Sequence, residues 1–171
     1  MESMQRMRQV KRKNTRTRKL ISIAILVVLV CGGLIVYWQA GAPKRAAQAN
    51  AVSFARKYAG LKNETNFYLF NRKATYFTVA GTNTKGQQVY VIIAKKGGRT
   101  VVLNQSAGIS EQRASSLVKS QEKSSRVLKT NLGIWQKKPV WEVTYLNRSG
   151  KLCYTLFAFK NGKTVKEIQN L

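Results

Sequence analysis

The feature that most restricts this chain is an uncharged run, LISIAILVVLVCGGLIVYW, from Leu20 to Trp38. As a helix it reaches about 28 Å, close to the ~30 Å hydrocarbon core of a bilayer. Tyr37 and Trp38 close the run where aromatic rings favour the headgroup level, and Arg18 and Lys19 abut its other end. The run is therefore expected to be a transmembrane helix bounded by Leu20 and Trp38, with the lipid bilayer as a partner.

Eight cations precede the run, among them Arg16, Arg18 and Lys19, against Glu2 alone, whereas only Lys44 and Arg45 follow it closely. This asymmetry places the N-terminus in the cytoplasm and the remainder outside, with the basic flank against anionic headgroups. Cleavage is the rival reading, because Ala40-Gly41-Ala42 has the small-x-small form of a signal-peptidase site. The run exceeds the usual apolar core of about 7 to 15 residues in a signal peptide. Pro43 would also follow the cut, so an uncleaved anchor is expected. A lipoprotein signal is weaker still, since bulky Val30 precedes Cys31.

Charge is the next constraint. Thirty-one Lys and Arg against six acidic residues, all Glu, give a net charge of +25. Beyond Trp38 the excess is +18, from 23 cations minus 5 Glu. Such an excess suits any polyanion, or none, because a basic surface also serves solubility. An extracytoplasmic address argues against nucleic acid and leaves an anionic membrane surface or another anionic polymer. Cys31 lies in the apolar run and Cys153 in a strand-like segment, so they are not expected to pair.

Beyond the apolar run, periodicity divides the chain. Pro43 to Gly60 reads as a helix, Pro43 in its first turn and Ala47, Ala51, Phe54, Ala55 and Tyr58 along one face. Strands are expected over 66–70, 74–82, 87–95 and 99–103, with turns at Thr84-Lys85-Gly86 and Lys96-Gly97-Gly98. Ser110 is a natural N-cap for a second helix running to about Glu122. Four more strands follow, over 126–135, 140–146, 152–160 and 164–168. These are broken at Lys137-Lys138-Pro139, Arg148-Ser149-Gly150 and Asn161-Gly162. Alternation of Trp141, Val143 and Tyr145 with Val140, Glu142 and Thr144 predicts one buried and one wetter face.

A shift of 64 positions superimposes Gly86 on Gly150, Tyr90 on Tyr154, Gly98 on Gly162 and Val101 on Val165. Turns land on turns and strands on strands, which points to a tandem repeat. The expected class is α+β: a basic tail (1–19), a transmembrane helix (20–38) and two units (39–106 and 107–171), each one helix packed on an antiparallel sheet. Units of this size are small for independent stability and are expected to lean on one another or on a partner.

Catalytic equipment is sparse. The chain has no His and no Asp, and its outer Glu residues are scattered, which removes imidazole-based nucleophilic catalysis and leaves no carboxylate pair or metal-ligand cluster. Ser120, Ser124 and Ser125 lie near Lys119 and Lys123, a formal Ser-Lys arrangement better read as a solvated polar stretch. Lys96-Gly97-Gly98-Arg99 is too short for a phosphate-cradling loop and sits between strands. Aromatic residues such as Tyr90, Trp135, Trp141 and Tyr154 fall at strand period and are expected in the core rather than as base-stacking platforms. No cofactor is implied.

The stretches GISEQRASSLVKSQ (Gly108 to Gln121) and VWEVTYLNRSGKLCYTLFAFKNGKTVKEI (Val140 to Ile168), with YFTVAGTNTKGQQVYVIIAKKGG matching in pattern, resemble the cell wall elongation regulator TseB-like family, the YpmB group of low-GC Gram-positive bacteria. The layout of basic tail, single membrane helix and two PepSY-like units is similar too. The resemblance covers roughly residues 20–171. It implies a cystatin-like fold for each unit, no catalysis, and a role in wall synthesis through contact with a class B penicillin-binding protein. It supplies no catalytic or partner-binding residue to carry over. The heavier positive charge of this chain is a departure from the family that the shared role does not account for. Two other roles stay open: binding a wall polymer such as teichoic acid, and protease inhibition of the kind PepSY domains suggest.

Overall fold

The computed structural model describes residues 2–97, 100–121 and 125–169, with side chains from Arg18 onward except at 35–37 and 39–41. The expectations for Gly98, Arg99, Glu122, Lys123 and Ser124, and for the side chain of Arg16, lie outside the described residues. The chain divides into two compact units, Met1–Ala46 and Ala47–Leu171.

Helix α1 spans Glu2–Ala59, with Pro43 inside it rather than in its first turn. In the first unit the apolar side chains stand exposed, Leu20, Val28 and Leu29 each by two-thirds or more. The hydroxyl of Ser22 donates to the Arg18 carbonyl one turn back at 3.0 Å, which satisfies it within the helix. Among the described residues no helix is long and apolar enough to cross a membrane; the run from Leu20 to Trp38 includes residues 35–37, which lie outside the described side chains.

The second unit is α+β. Strands β1 (Leu61–Asn71), β2 (Thr75–Asn83), β3 (Gln88–Ala94) and β4 (Val101–Asn104) form one antiparallel sheet in chain order. A short 3-10 turn (Gln105–Ala107) leads to α2 (Glu111–Gln121), followed by β5 (Arg126–Trp135), β6 (Lys138–Leu146), β7 (Leu152–Ala158) and β8 (Thr164–Ile168) in a second sheet of the same order. Ser110 caps α2 as expected, its Oγ accepting from the Arg113 amide at 3.1 Å.

The shift of 64 positions survives down to single hydrogen bonds. Asn83 Oδ1 accepts from the amides of Lys85 and Gln87 at 3.0 and 2.9 Å, and Asn147 Oδ1 accepts from Ser149 and Lys151 at 3.0 Å each. Gly86 and Gly150, which close these two turns, both have φ of +75°, a conformation that a side chain resists.

Burial corrects two expectations. On the last turns of α1 the face that packs on the first sheet is Ala51, Val52 and Ala55, against Leu61, Val79, Val89 and Val91. Phe54 and Tyr58, expected on that face, are exposed and lie against one another with ring centroids 4.4 Å apart. Small side chains let the helix approach the sheet closely, and the two large rings lie at the edge of that face, turned to solvent. The other correction concerns β6. Val140 and Glu142, expected on a wetter face, are buried along with Trp141 and Val143. Phe70, at the end of β1, packs with Val140 and Leu156 and covers that face of the second sheet. Gly133 makes room for it, since a methyl group there would overlap the Phe70 ring.

The second sheet's other face carries α2. Ala114 and Val118 pack with Trp141, Val143, Tyr145 and Phe157, and with Tyr68, Ala80, Tyr90 and Ile92 from the first sheet. The two sheets thus share one core. Burial pushes the phenol groups of Tyr68 and Tyr90 up, and the nearby Glu111 carboxylate, which accepts from Tyr68 Oη at 2.8 Å, adds to the shift in both.

The break expected at Lys137-Lys138-Pro139 is instead a two-residue turn of Gln136 and Lys137, with φ of 48° and 65° and strand pairing resumed at Lys138. Both positions want Asn-Gly, because side chains at positive φ cost roughly 1–2 kcal/mol each. Replacing Gln136 with Asn and Lys137 with Gly is expected to stabilise the protein by about 1 kcal/mol, part of the relief being offset by the greater chain entropy of Gly. A urea titration checks this: the midpoint rises with the slope unchanged.

Candidate functional site

Where Phe70 covers the second sheet, the chain turns back through Arg72 and Lys73 into β2. These residues overhang the face of the sheet formed by Trp135 on β5, Glu142 on β6, Tyr154 and Leu156 on β7, and Lys166 and Ile168 on β8. The cross-strand pairs Glu142–Leu156, Leu156–Lys166 and Tyr154–Ile168 put these side chains on one face. Arg72, Lys73, Trp135, Leu156, Lys166 and Ile168 line a groove of about 260 Å³.

Its chemistry is cationic and aromatic. Arg72 Nε donates to Glu142 Oε2, the one ion pair among the described residues. The guanidinium carbon lies 4.4 Å from the Tyr154 ring centroid. Arg72 Nη2 is buried and has no hydrogen-bond partner among the described residues. Lys73 and Lys166 bring their ammonium groups to 5.9 and 5.1 Å from the Trp135 ring centroid. Such contacts hold long lysine side chains over a ring without neutralising them. Three cations against one carboxylate leave the groove with two uncompensated positive charges.

None of these residues was singled out in the sequence as a binding group. Lys73 and Lys166 look like any solvated lysine, and Trp135 and Tyr154 fall at strand period. The usable signal was Glu142, a carboxylate between Trp141 and Val143. The other aromatic residues behave as the strand period predicts: Trp141, Tyr90 and Phe159 are core. Arg18 and Lys19 are exposed on α1, as are Leu20 and Trp38. Of the Ser-Lys group, Ser120 donates its hydroxyl to the Leu117 carbonyl at 2.8 Å and Ser125 Oγ is buried. Cys31 is exposed and Cys153 buried, both unpaired. Among the described residues no three His, Cys, Asp or Glu side chains come together.

The sequence matches the family described as the cell wall elongation regulator TseB-like domain over residues 50–94. It is also 30% identical over 150 residues to a Bacillus subtilis (strain 168) protein named "Probable cell wall elongation regulator TseB", covering 87% of this chain and 92% of the relative. This chain belongs to the TseB-like family. A solved structure, that of the YpmB protein from Bacillus subtilis, superimposes with a TM-score of 0.63 at 29% identity, covering 71% of this chain and 96% of the other. The α+β architecture of two four-stranded antiparallel sheets is thus shared with a TseB-like relative. The family match falls from the end of α1 to the end of β3, whereas the sequence resemblance rests chiefly on Val140 to Ile168. The TseB-like family is named for regulation, not for a reaction.

Proposed function

We propose that this chain is a membrane-anchored regulator of cell-wall elongation whose outer body acts by contacting a wall-synthesis transpeptidase, a class B penicillin-binding protein. The observation that carries the regulatory reading is the alignment with a named elongation regulator over 92% of that relative's length. The two helix-and-sheet units are read as a tandem pair of PepSY-like, cystatin-like modules spanning 39–106 and 107–171.

Anchoring is supported by the uncharged run from Leu20 to Trp38 and by the exposure of its apolar side chains, a surface that water does not tolerate over such a length. The basic residues before it, including Arg16, Arg18 and Lys19, orient the N-terminus to the cytoplasm. Tethering is the mechanism: two proteins confined to one membrane meet at an effective concentration that lets a weak interface suffice.

Two measurements test this. A secreted form lacking residues 1–38 is expected to fail to restore cell length in a deletion strain, while the full chain restores it. Crosslinking in intact membranes is expected to recover a penicillin-binding protein. Full rescue by the secreted form sinks the tethering mechanism, and recovery of no transpeptidase sinks the proposed contact.

A further inference from the structure

We propose that the groove on the second sheet is a binding site for a phosphodiester chain, taking a glycerol-phosphate type of unit between Lys73 and Lys166, beside the positive charge that Arg72 holds there. This stands independently of any contact with a transpeptidase, and no part of the family relationship is needed for it.

The argument begins with what the groove keeps fixed. A guanidinium that is four-fifths buried is costly to desolvate and is stabilised when its donors are met. Glu142 meets Nε, the Tyr154 ring lies against the guanidinium, and Nη2 is enclosed, out of a ligand's reach. The arrangement fixes the Arg72 charge beside the groove, where it adds to the field that Lys73 and Lys166 exert on an anionic oxygen. Lys73 comes from the turn after β1 and Lys166 from β8, so two separate elements bring charge to the Trp135 ring from different directions.

The remaining lining favours a phosphodiester over a lone anion or an acidic peptide. Leu156 and Ile168 present carbon next to the cations, which suits the CH and CH₂ groups that separate the charges of a polyol-phosphate chain. Among the described residues its lining has no amide side chain to pair with a peptide backbone. Its volume of about 260 Å³ is below the usual range for a whole small-molecule ligand, and fits one repeating unit of something longer. The excess of +18 outside the apolar run draws such a chain toward the surface from any direction, and the groove selects where one unit docks.

The same chemistry is present in a soluble polyol-phosphate polymer and in a phosphatidylglycerol headgroup, and the experiment separates them. The full chain is placed in nanodiscs of phosphatidylcholine and titrated with a short poly(glycerol phosphate) at several salt concentrations. Lys73→Ala with Lys166→Ala is expected to weaken binding about tenfold and to lower the salt slope by about 2. Lys85→Ala with Lys151→Ala removes the same charge from the turns at the far ends of the strands and is expected to change affinity by less than about twofold. Equal loss in both double variants means that charge alone binds the polymer, and overturns the site; so does tighter binding of a poly-glutamate of equal length. Nanodiscs with phosphatidylglycerol but no polymer identify the source: if they block later binding of the polymer to the parent but not to the lysine variant, the headgroup is the ligand. Far-UV circular dichroism of each variant confirms that the fold is intact.

Discussion

Truncation of Trp141 to alanine is expected to destabilise the protein by about 4 kcal/mol, near the middle of the range for removing a large buried aromatic side chain. Trp141 is fully buried. Its ring meets Tyr68 and Tyr90, both on the first sheet, edge to face at 5.4 and 5.6 Å, and its Nε1 donates to the Ile109 carbonyl ahead of α2 at 2.8 Å. One side chain therefore joins the first sheet, the second sheet and the segment that starts α2. Because the core is shared, the loss should lower the stability of both sheets together: far-UV circular dichroism and tyrosine fluorescence of the full chain in mild detergent should give one coincident urea transition, shifted as a whole. Two separated transitions, with the first sheet unmoved, would show that the sheets are independent bodies. Trp141→Phe keeps most of the volume but strands the Ile109 carbonyl, and is expected to cost about 1–3 kcal/mol.

That coupling explains what the sequence made legible and what it hid. Strand period, glycine turns and the 64-residue shift reveal each four-stranded meander, because those signals are local: Asn83-Thr84-Lys85-Gly86 and Asn147-Arg148-Ser149-Gly150 form the same turn from their own atoms. Ser110 reveals the start of α2 for the same reason. The face on which Val140 and Glu142 lie was misread because its cover comes from Phe70 and Arg72, seventy residues away in sequence. Alternation reports which side of a strand is apolar, not what arrives to bury the polar side. The first helix hid its buried face similarly: Phe54 and Tyr58 share the spacing of the alanines that pack, and only close approach to the sheet decides for Ala51, Val52 and Ala55. Pro43 looked like a helix start because its fixed φ suits a first turn, yet it lies inside α1, where that φ is still helical but the ring removes one backbone hydrogen bond. The groove was least legible of all, since it joins a hairpin turn of one sheet to three strands of the other.

The Arg72–Glu142 pair gives the second large effect, and it has a sign that depends on how many partners are removed. Glu142→Leu alone is expected to cost about 2–3 kcal/mol, below the ~3–5 kcal/mol of a fully enclosed pair because a fifth of the Arg72 side chain is exposed. The loss arises from a guanidinium left on an apolar floor of Val140 and Leu156 without its counter-charge. Arg72→Met alone strands the Glu142 carboxylate, which is more deeply buried than its partner, and should cost at least as much. Replacing both, Arg72→Met with Glu142→Leu, removes the stranded charge from either side and should return to within about 1 kcal/mol of the parent, since well-packed apolar replacements of buried pairs are often neutral. Urea titration of the four proteins gives the coupling directly. If the double variant is as unstable as the sum of the singles, the coupling is zero, each side chain stabilises the protein independently of the other, and their place in the groove needs no ligand. If stability returns while the rescued protein loses phosphodiester binding, the charge has been retained at Arg72 for what it recognises, and Glu142 for holding it there.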